Sequence, residues 1–369
     1  MKDKLLTSFL FAAVLLTLTS TAIASTTWYV NGVSGSNSND CKSSTTACKT
    51  IGHAISLAAS GDSIKVAAAT YTENLTISIS LKILGSGAKT TILDGGSAGR
   101  VIYVPSATAQ VTLSGVTITH GISSGGGGGA GIFNSGALTL VASTLNGNVA
   151  GTFCQSCSLG GGGISNAVGA HLTIKSSTVS GNEVELVGCS PSCYTKGGGI
   201  YNLGTLALSN STVSGNVLFR GFPEGGGIYN GGVATISNST IAGNTGGYGG
   251  GIFGTATLQN SIVANTPGNC LGGTMNSLGY NLSSDATCNF TSPGDLNNTD
   301  PLLGPLQYNG GPTQTMALPS GSPAVDAGNP SGCTDGLGHL LKADQRGKPR
   351  PGTGDTGNCD MGAYERQSD

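Results

Sequence analysis

From Gly136 to Asn148 the chain reads "GALTLVASTLNGN", which sets Leu138, Leu140 and Leu145 to one side with Thr and Ser between them. The same places hold Leu172, Ile174 and Val179, then Leu206, Leu208 and Val213, then Ala234, Ile236 and Ile241. Alternation over so few residues, bounded by Gly and Asn, predicts short half-buried strands. One phrase precedes each run. It is "AGIFN" at Ala130–Asn134, "GGGISN" at Gly161–Asn166, "GGGIYN" at Gly197–Asn202 and Gly225–Asn230, and "GGGIFG" at Gly249–Gly254.

Ile132, Ile164, Ile200, Ile228 and Ile252 follow one another at steps of 32, 36, 28 and 24 residues. From Ile to the next Gly-preceded Asn (Asn148, Asn182, Asn216, Asn244) the distances are 16, 18, 16 and 16; from Asn to the next Ile they are 16, 18, 12 and 8. One part of the repeat is nearly constant, and the large variation falls in a single connection. A coil of about 22–24 residues with three short strands and one corner of free length predicts an all-β right-handed parallel β-helix. Gly suits corners that need positive φ or close backbone approach. Asn tolerates the left-handed conformation as well, and Asn side chains stacked about 4.8 Å apart can hydrogen-bond along a column. The glycines therefore read as scaffold and not as a phosphate loop.

Gly supplies 63 of 369 residues, charged side chains only 9%, and the net charge is −2. So small a charge gives no footprint for nucleic acid or an anionic membrane as partner. Residues 1–24 read as a signal peptide, with Lys2 and Lys4, the apolar run Leu5–Leu18 and the small-residue site Ala22-Ile23-Ala24. No other segment is long and apolar enough to span a bilayer, so the mature chain is expected to start near Ser25 and to be extracellular, at the cell surface or periplasmic. No Cys follows the apolar run, which argues against a lipid anchor. Export makes disulfides the expected fate of the ten cysteines. Cys41/Cys48, Cys270/Cys288 and Cys333/Cys359 are the expected local pairs. Cys154, Cys157, Cys189 and Cys193 occupy matching places in two neighbouring connections, where cross-loop disulfides are expected and tetrahedral Zn²⁺ is the alternative.

An open β-helix end is an unpaired sheet edge and needs a cover. "CKTIGHAISLAASGDSIKVAAATYTENLTI" (Cys48–Ile77) offers an amphipathic helix over Ile51–Ala59 and then strands. Its order of Cys, short helix, Gly-Asp and Tyr-x-Glu resembles the entry segment of secreted pectate-lyase-like β-helix proteins, with Ala69 where that pattern has Gly. The resemblance implies the fold and an N-terminal cap. At the other end, "DPLLGPLQYNGGPTQTMALPSGSPAVDAG" (Asp300–Gly328) and "DQRGKPRPGTGDTGNCDMGAYE" (Asp344–Glu365) resemble the choice-of-anchor Q domain of bacterial surface proteins. In that family the domain follows a β-helix and precedes a surface anchor. Only Arg366–Asp369 follow here, which favours release or non-covalent retention. The expected organisation is signal peptide 1–24, cap and first strands 25–75, β-helix 76–295 and an Asp-rich, Q-like module 296–369.

Eight of the thirteen Asp lie in Asp285–Asp360. Asp326, Asp344, Asp355 and Asp360 are candidate Ca²⁺ ligands, because calcium takes several oxygens; the plainer reading is turns and an Arg–Asp network involving Arg346 and Arg350. No cofactor is expected other than calcium at these carboxylates. A polysaccharide hydrolase needs paired carboxylates, and the lyases of the resembled family carry acidic Ca²⁺ ligands and a basic residue on a strand face. From Gly125 to Asn265 there is no Asp, and the only charges are Lys175, Glu183, Glu185, Lys196, Arg220 and Glu224. No catalytic residue is assigned. If the chain is an enzyme, the place to look is near Asp62, Asp94, Arg100 and His120, although His120 reads first as a turn residue and His53 as a polar position of the capping helix. "NTD" at Asn298–Asp300 lacks the other elements of a galacturonase.

The variable connections Val149–Leu159, Glu183–Lys196, Val217–Glu224 and Thr245–Tyr248 leave one corner of successive coils and should stack into a ridge. That ridge gathers Phe153, Tyr194, Phe219, Arg220, Phe222, Glu224 and Tyr248. Aromatic faces beside a few polar groups suit sugar rings, and loops over a rigid scaffold commonly carry function; packing the loops onto the coil is the alternative. The expectation is an exported, non-enzymatic protein that binds a polysaccharide or cell-surface component. A polysaccharide lyase or hydrolase and an autotransporter-like adhesin are the alternatives.

Overall fold

The computed structural model describes residues 25–124, 127–153, 158–187, 193–265, 268–336, 338–352 and 357–367. The expected signal peptide (1–24), Cys154, Cys157, Cys189 and Asp355 lie outside these residues, as does the side chain of Phe153.

Parallel sheets of ten, nine and eight strands run the length of the molecule, and a typical coil gives one strand to each. In one coil Ile164–Asn166 joins the eight-stranded sheet, His171–Lys175 the ten-stranded and Thr178–Ser180 the nine-stranded. The repeat isoleucines Ile132, Ile164, Ile200, Ile228 and Ile252 stand in register one above another. Leu138, Leu172, Leu206 and Ala234 form a second such column. All are buried in one continuous core, where each Leu or Ile contributes about 1.5–3 kcal/mol. The chain is a parallel β-helix.

Polar columns run inside the corners. Asn148 Nδ2 donates to Asn182 Oδ1 at 2.8 Å, Asn182 to Asn216 at 2.9 Å, Asn216 to Asn244 at 2.8 Å and Asn244 to Asn265 at 2.9 Å. A second column joins Asn134, Asn166, Asn202 and Asn230 at 2.8, 2.7 and 2.5 Å. These columns explain the glycine phrase. A Cβ on Gly199 would lie 2.8 Å from the Gly227 carbonyl oxygen and 3.0 Å from the Asn216 side chain, and Gly197 sits at φ 58°.

The N-terminal end is covered by the helix Ile51–Leu57, which turns Ile51 and Ala54 inward. It ends two residues before the expected Ala59 because Ala58 is already extended. The Glu73 carboxylate accepts from the free N–H groups of Ile51 and Gly52, both at 2.8 Å. Asp62 accepts from Thr26 N, Trp28 Nε1 and Ala59 N. The carboxylates of the resembled entry motif therefore serve the cap. At the other end Cys270, Cys288 and Phe290 complete the core. The disulfides Cys41–Cys48, Cys270–Cys288 and Cys333–Cys359 are formed, and Cys193 is also disulfide-bonded.

Two features differ from the sequence expectation. The variable connections stack at one corner, but the described parts of the first three are strands, while Thr245–Tyr248 adds only single bridges to them. Ile122–Ser123, Val149–Phe153, Glu183–Val187 and Val217–Phe219 form one added sheet; Ser158–Gly160, Tyr194–Lys196 and Phe222–Glu224 form another. Leu159, Val184, Leu186 and Leu218 bury a small core between them, and that apolar content is why the outgrowth is ordered.

The C-terminal segment pairs with the last coil through Leu296, opposite Leu282, and then runs back along the flank. Thr178 Oγ1 donates to Gln314 O, Thr212 Oγ1 to Gln345 Oε1, and Asn210 Nδ2 to Ala343 O. This cover buries Thr178, Thr212, Ser214 and Thr240, whose strand positions would otherwise face solvent.

Candidate binding site

The added sheet Ser158–Gly160/Tyr194–Lys196/Phe222–Glu224 is followed in each coil by the glycine phrase and then the eight-stranded sheet. Tyr194 is in register with Phe222, Lys196 with Glu224, and Glu224 with Tyr248. Residues two apart on a strand share a face, so Tyr194 and Lys196 point the same way. That face turns toward the outer face of the eight-stranded sheet. Lys196 Nζ lies 3.4 Å from the Tyr229 hydroxyl and stands over the rings of Tyr229 and Tyr194, at 4.7 and 5.3 Å from their centroids. The two faces make a re-entrant corner.

Tyr194 and Phe222 are 41% and 38% exposed, with ring centroids 5.4 Å apart and planes tilted 32°. Tyr248, 48% exposed, extends this wall. On the other wall Tyr201, Tyr229 and Phe253 form a column with centroids 5.2 and 5.5 Å apart. Tyr229 and Phe253 are stacked within 10°, so their faces are used on each other and mainly their edges are presented. Lys196 and Glu224 pair at 3.6 Å. Burial disfavours the Lys196 ammonium, but Tyr229, Glu224 and Tyr201 outweigh it and hold its pKa above the ordinary lysine value. Burial raises the Tyr201 hydroxyl. The corner thus offers aromatic surface and a charge pair that neutralises itself.

Of the residues proposed from sequence, the structure brings together Tyr194, Phe222, Glu224 and Tyr248. Phe219 and Arg220 stand at the exposed turn between strands Val217–Phe219 and Phe222–Glu224, and Phe219 makes no ring contact with the group among the described residues. Sequence reasoning missed Lys196 as a wall residue and the column Tyr201, Tyr229, Phe253. The signal was present, since the residue after the repeat Ile is aromatic in four of the five copies of the phrase.

A second cluster lies at the other end. Asp94 and His120, one coil apart, meet at 3.0 Å between Oδ2 and Nδ1. His120 is exposed and sits at φ 51°, where the following coils place Gly147, Gly181, Gly215 and Gly243. Burial opposes the charge on Asp94, and hydrogen bonds from His120 and Gly96 outweigh it to hold the pKa low. Arg100 does not reach out as a base. Its guanidinium donates to the Gly129 and Gly128 carbonyls at 2.8 Å and packs over Tyr103 and Phe133. Asp62 belongs to the cap described above.

Of the candidate calcium ligands, Asp344 accepts from Arg346 Nε at 2.7 Å and from the N–H groups of Arg346, Lys348 and Glu365. Asp360 accepts from the N–H groups of Asp326 and Arg366 at 2.8 and 2.6 Å. Arg350 is fully buried, 3.2 Å from Glu365. Burial pushes Glu365 up to about 7 against the pull of Arg350, and pushes Asp360 up to about 6. These groups form an internal Arg–carboxylate network. Among the described residues, the one trio of His, Cys, Asp or Glu close enough to share an ion is Cys41, Cys48 and His53, and its thiols are joined as a disulfide.

Fold and corner together define a parallel β-helix protein with a laterally added, aromatic-bearing pair of sheets. No protein family matches the chain, and no curated protein matches it. Among solved structures it is similar to pectate lyase Pel9A, at 16% identity and a TM-score of 0.44, covering 94% of this chain and 98% of that one. It is also similar to XylC in its complex with xylose, at 8% identity and a TM-score of 0.28, covering 92% and 98%. The β-helix assignment rests on the strand register of this chain.

Proposed function

We propose that this chain is an exported, non-enzymatic β-helix protein that binds a polysaccharide or another cell-surface component through the aromatic corner. The observation that carries the reading is the pair of exposed rings, Tyr194 and Phe222, on a rigid wall beside the Lys196–Glu224 pair. Sugar rings present C–H faces that pack on aromatic rings, while their hydroxyls take hydrogen bonds from flanking polar groups. Export, and the choice-of-anchor Q character of residues 296–369, belong to the same proposal.

The test is co-sedimentation with insoluble polysaccharides, run beside a depolymerisation assay with and without calcium. Binding without cleavage, lost in the Tyr194→Ala/Phe222→Ala double variant with the fold retained, supports the reading. Binding that survives the double variant refutes the corner, and cleavage refutes the non-enzymatic assignment. One observation favours a second reading as a polysaccharide lyase or hydrolase. His120, hydrogen-bonded to Asp94, occupies a left-handed position where later coils use Gly, and such strain is often kept for function.

A further inference from the structure

Across the first coils of the ten-stranded sheet, Tyr29, Lys65 and Leu84 stand in register on the outer face. The loop closed by the Cys41–Cys48 disulfide leans over this place. Tyr29 N donates to Cys41 O and Cys48 N to Tyr29 O, both at 2.8 Å, so the loop is held as an extra edge to the sheet. Between loop and sheet lies a pocket of about 350 Å³ lined by Tyr29, Ser44, Ala47, Lys65, Ala67 and Leu84, among others. Its volume falls in the range of small-ligand sites.

Lys65 is the only charged residue of the lining. Among the described residues it has no ion pair, in contrast to Lys196. Its ammonium stands 5.7 Å from the centroid of the Tyr29 ring, and the rest of the lining is aliphatic or hydroxyl-bearing apart from the uncharged amide of Asn31. An uncompensated cation in a preformed, half-apolar pocket favours an anion with a flat or apolar body. A carboxylate takes the ammonium and the body packs on Tyr29 and Leu84. The short hydrogen bonds to the disulfide loop hold the site before any ligand arrives, which lowers the ordering cost of binding.

We infer that the Tyr29–Lys65–Leu84 pocket is a binding site for a small, ring-bearing organic carboxylate, separate from the aromatic corner. The test is calorimetric titration of the full chain with 4-hydroxybenzoate and with its uncharged amide, at low and high salt. The acid should bind at least about tenfold more tightly than the amide, and its affinity should fall as salt rises. Lys65→Met should weaken the acid about tenfold while Lys65→Arg retains it. The acid–amide comparison on the unaltered chain stands even if a variant misfolds. Equal binding of acid and amide, unchanged binding by Lys65→Met, or no binding of the acid up to about 10 mM would each overturn the site.

Discussion

Asn216 sits in the middle of the internal column, fully buried, and its replacement by Ala tests whether the column holds the coils together. The side chain gives Nδ2 to Asn244 Oδ1 at 2.8 Å and to Val179 O at 3.0 Å. Its Oδ1 accepts from Asn182 Nδ2 at 2.9 Å and from the Asn182 backbone N–H at 3.0 Å. Ala removes all of these contacts. The Asn182 amide keeps its bond to Leu145 O, but the Asn182 backbone N–H loses its acceptor in a dry interior. A buried donor left unmade costs about 1–3 kcal/mol, and the other lost bonds add roughly 1 kcal/mol net, so the expected loss is about 2–4 kcal/mol. Asn216→Asp, isosteric but set against Asn244 Oδ1 and Val179 O, should cost more, because it buries a charge facing acceptors. Asn265→Ala at the column's edge should cost less. Chemical denaturation gives the stability change, and hydrogen exchange at the Asn182 amide gives its location. A loss below about 0.5 kcal/mol, with that amide still protected, would refute the column as a structural element.

Gly199→Ala drives a Cβ against the Gly227 carbonyl and the Asn216 side chain, so it should destabilise by about 2 kcal/mol or more, read from the same denaturation curves. Glu365 and Asp360 have folded pKa values raised to about 7 and about 6, so the folded protein holds protons there that the unfolded chain has released. Stability of the C-terminal segment should therefore fall by a few kcal/mol as pH rises from about 4.5 to about 7, and proteolysis of that segment at pH 5 against pH 7.5 checks the sign. A Glu365→Gln variant should flatten the difference. His120→Gly relieves the left-handed backbone and should leave stability unchanged or raise it by up to about 1 kcal/mol, with any depolymerising activity lost; a clearly lower melting temperature would refute the strain.

The coil was legible because its signal is local. Leu138, Leu140 and Leu145 alternate within a few residues, and the same pattern recurs until the register is almost forced; the buried columns follow those positions. The Asn148–Asn244 column was legible for the same reason. Asp94 and His120 stand 26 residues apart, and coil arithmetic carried up to that point would have set Asp94 beside Thr119, one position from His120. The Tyr201–Tyr229–Phe253 column was readable from the position after each repeat Ile, although the glycines dominate the same phrase.

The sequence by itself determined the three-strand coil, its inward residues, the local disulfide pairs and the corner from which the variable connections leave. Only the tertiary structure decided that those connections are strands, because a strand in "EVELV" (Glu183–Val187) exists only when its neighbour a coil away is in place to take its hydrogen bonds. It also decided which polar face is covered. Thr178 and Thr212 look solvent-facing by alternation, and they are buried because a segment more than 130 residues later returns to hydrogen-bond them. Backbone alternation is a property of neighbours along the chain; coverage is a property of neighbours in space, and no local period encodes it.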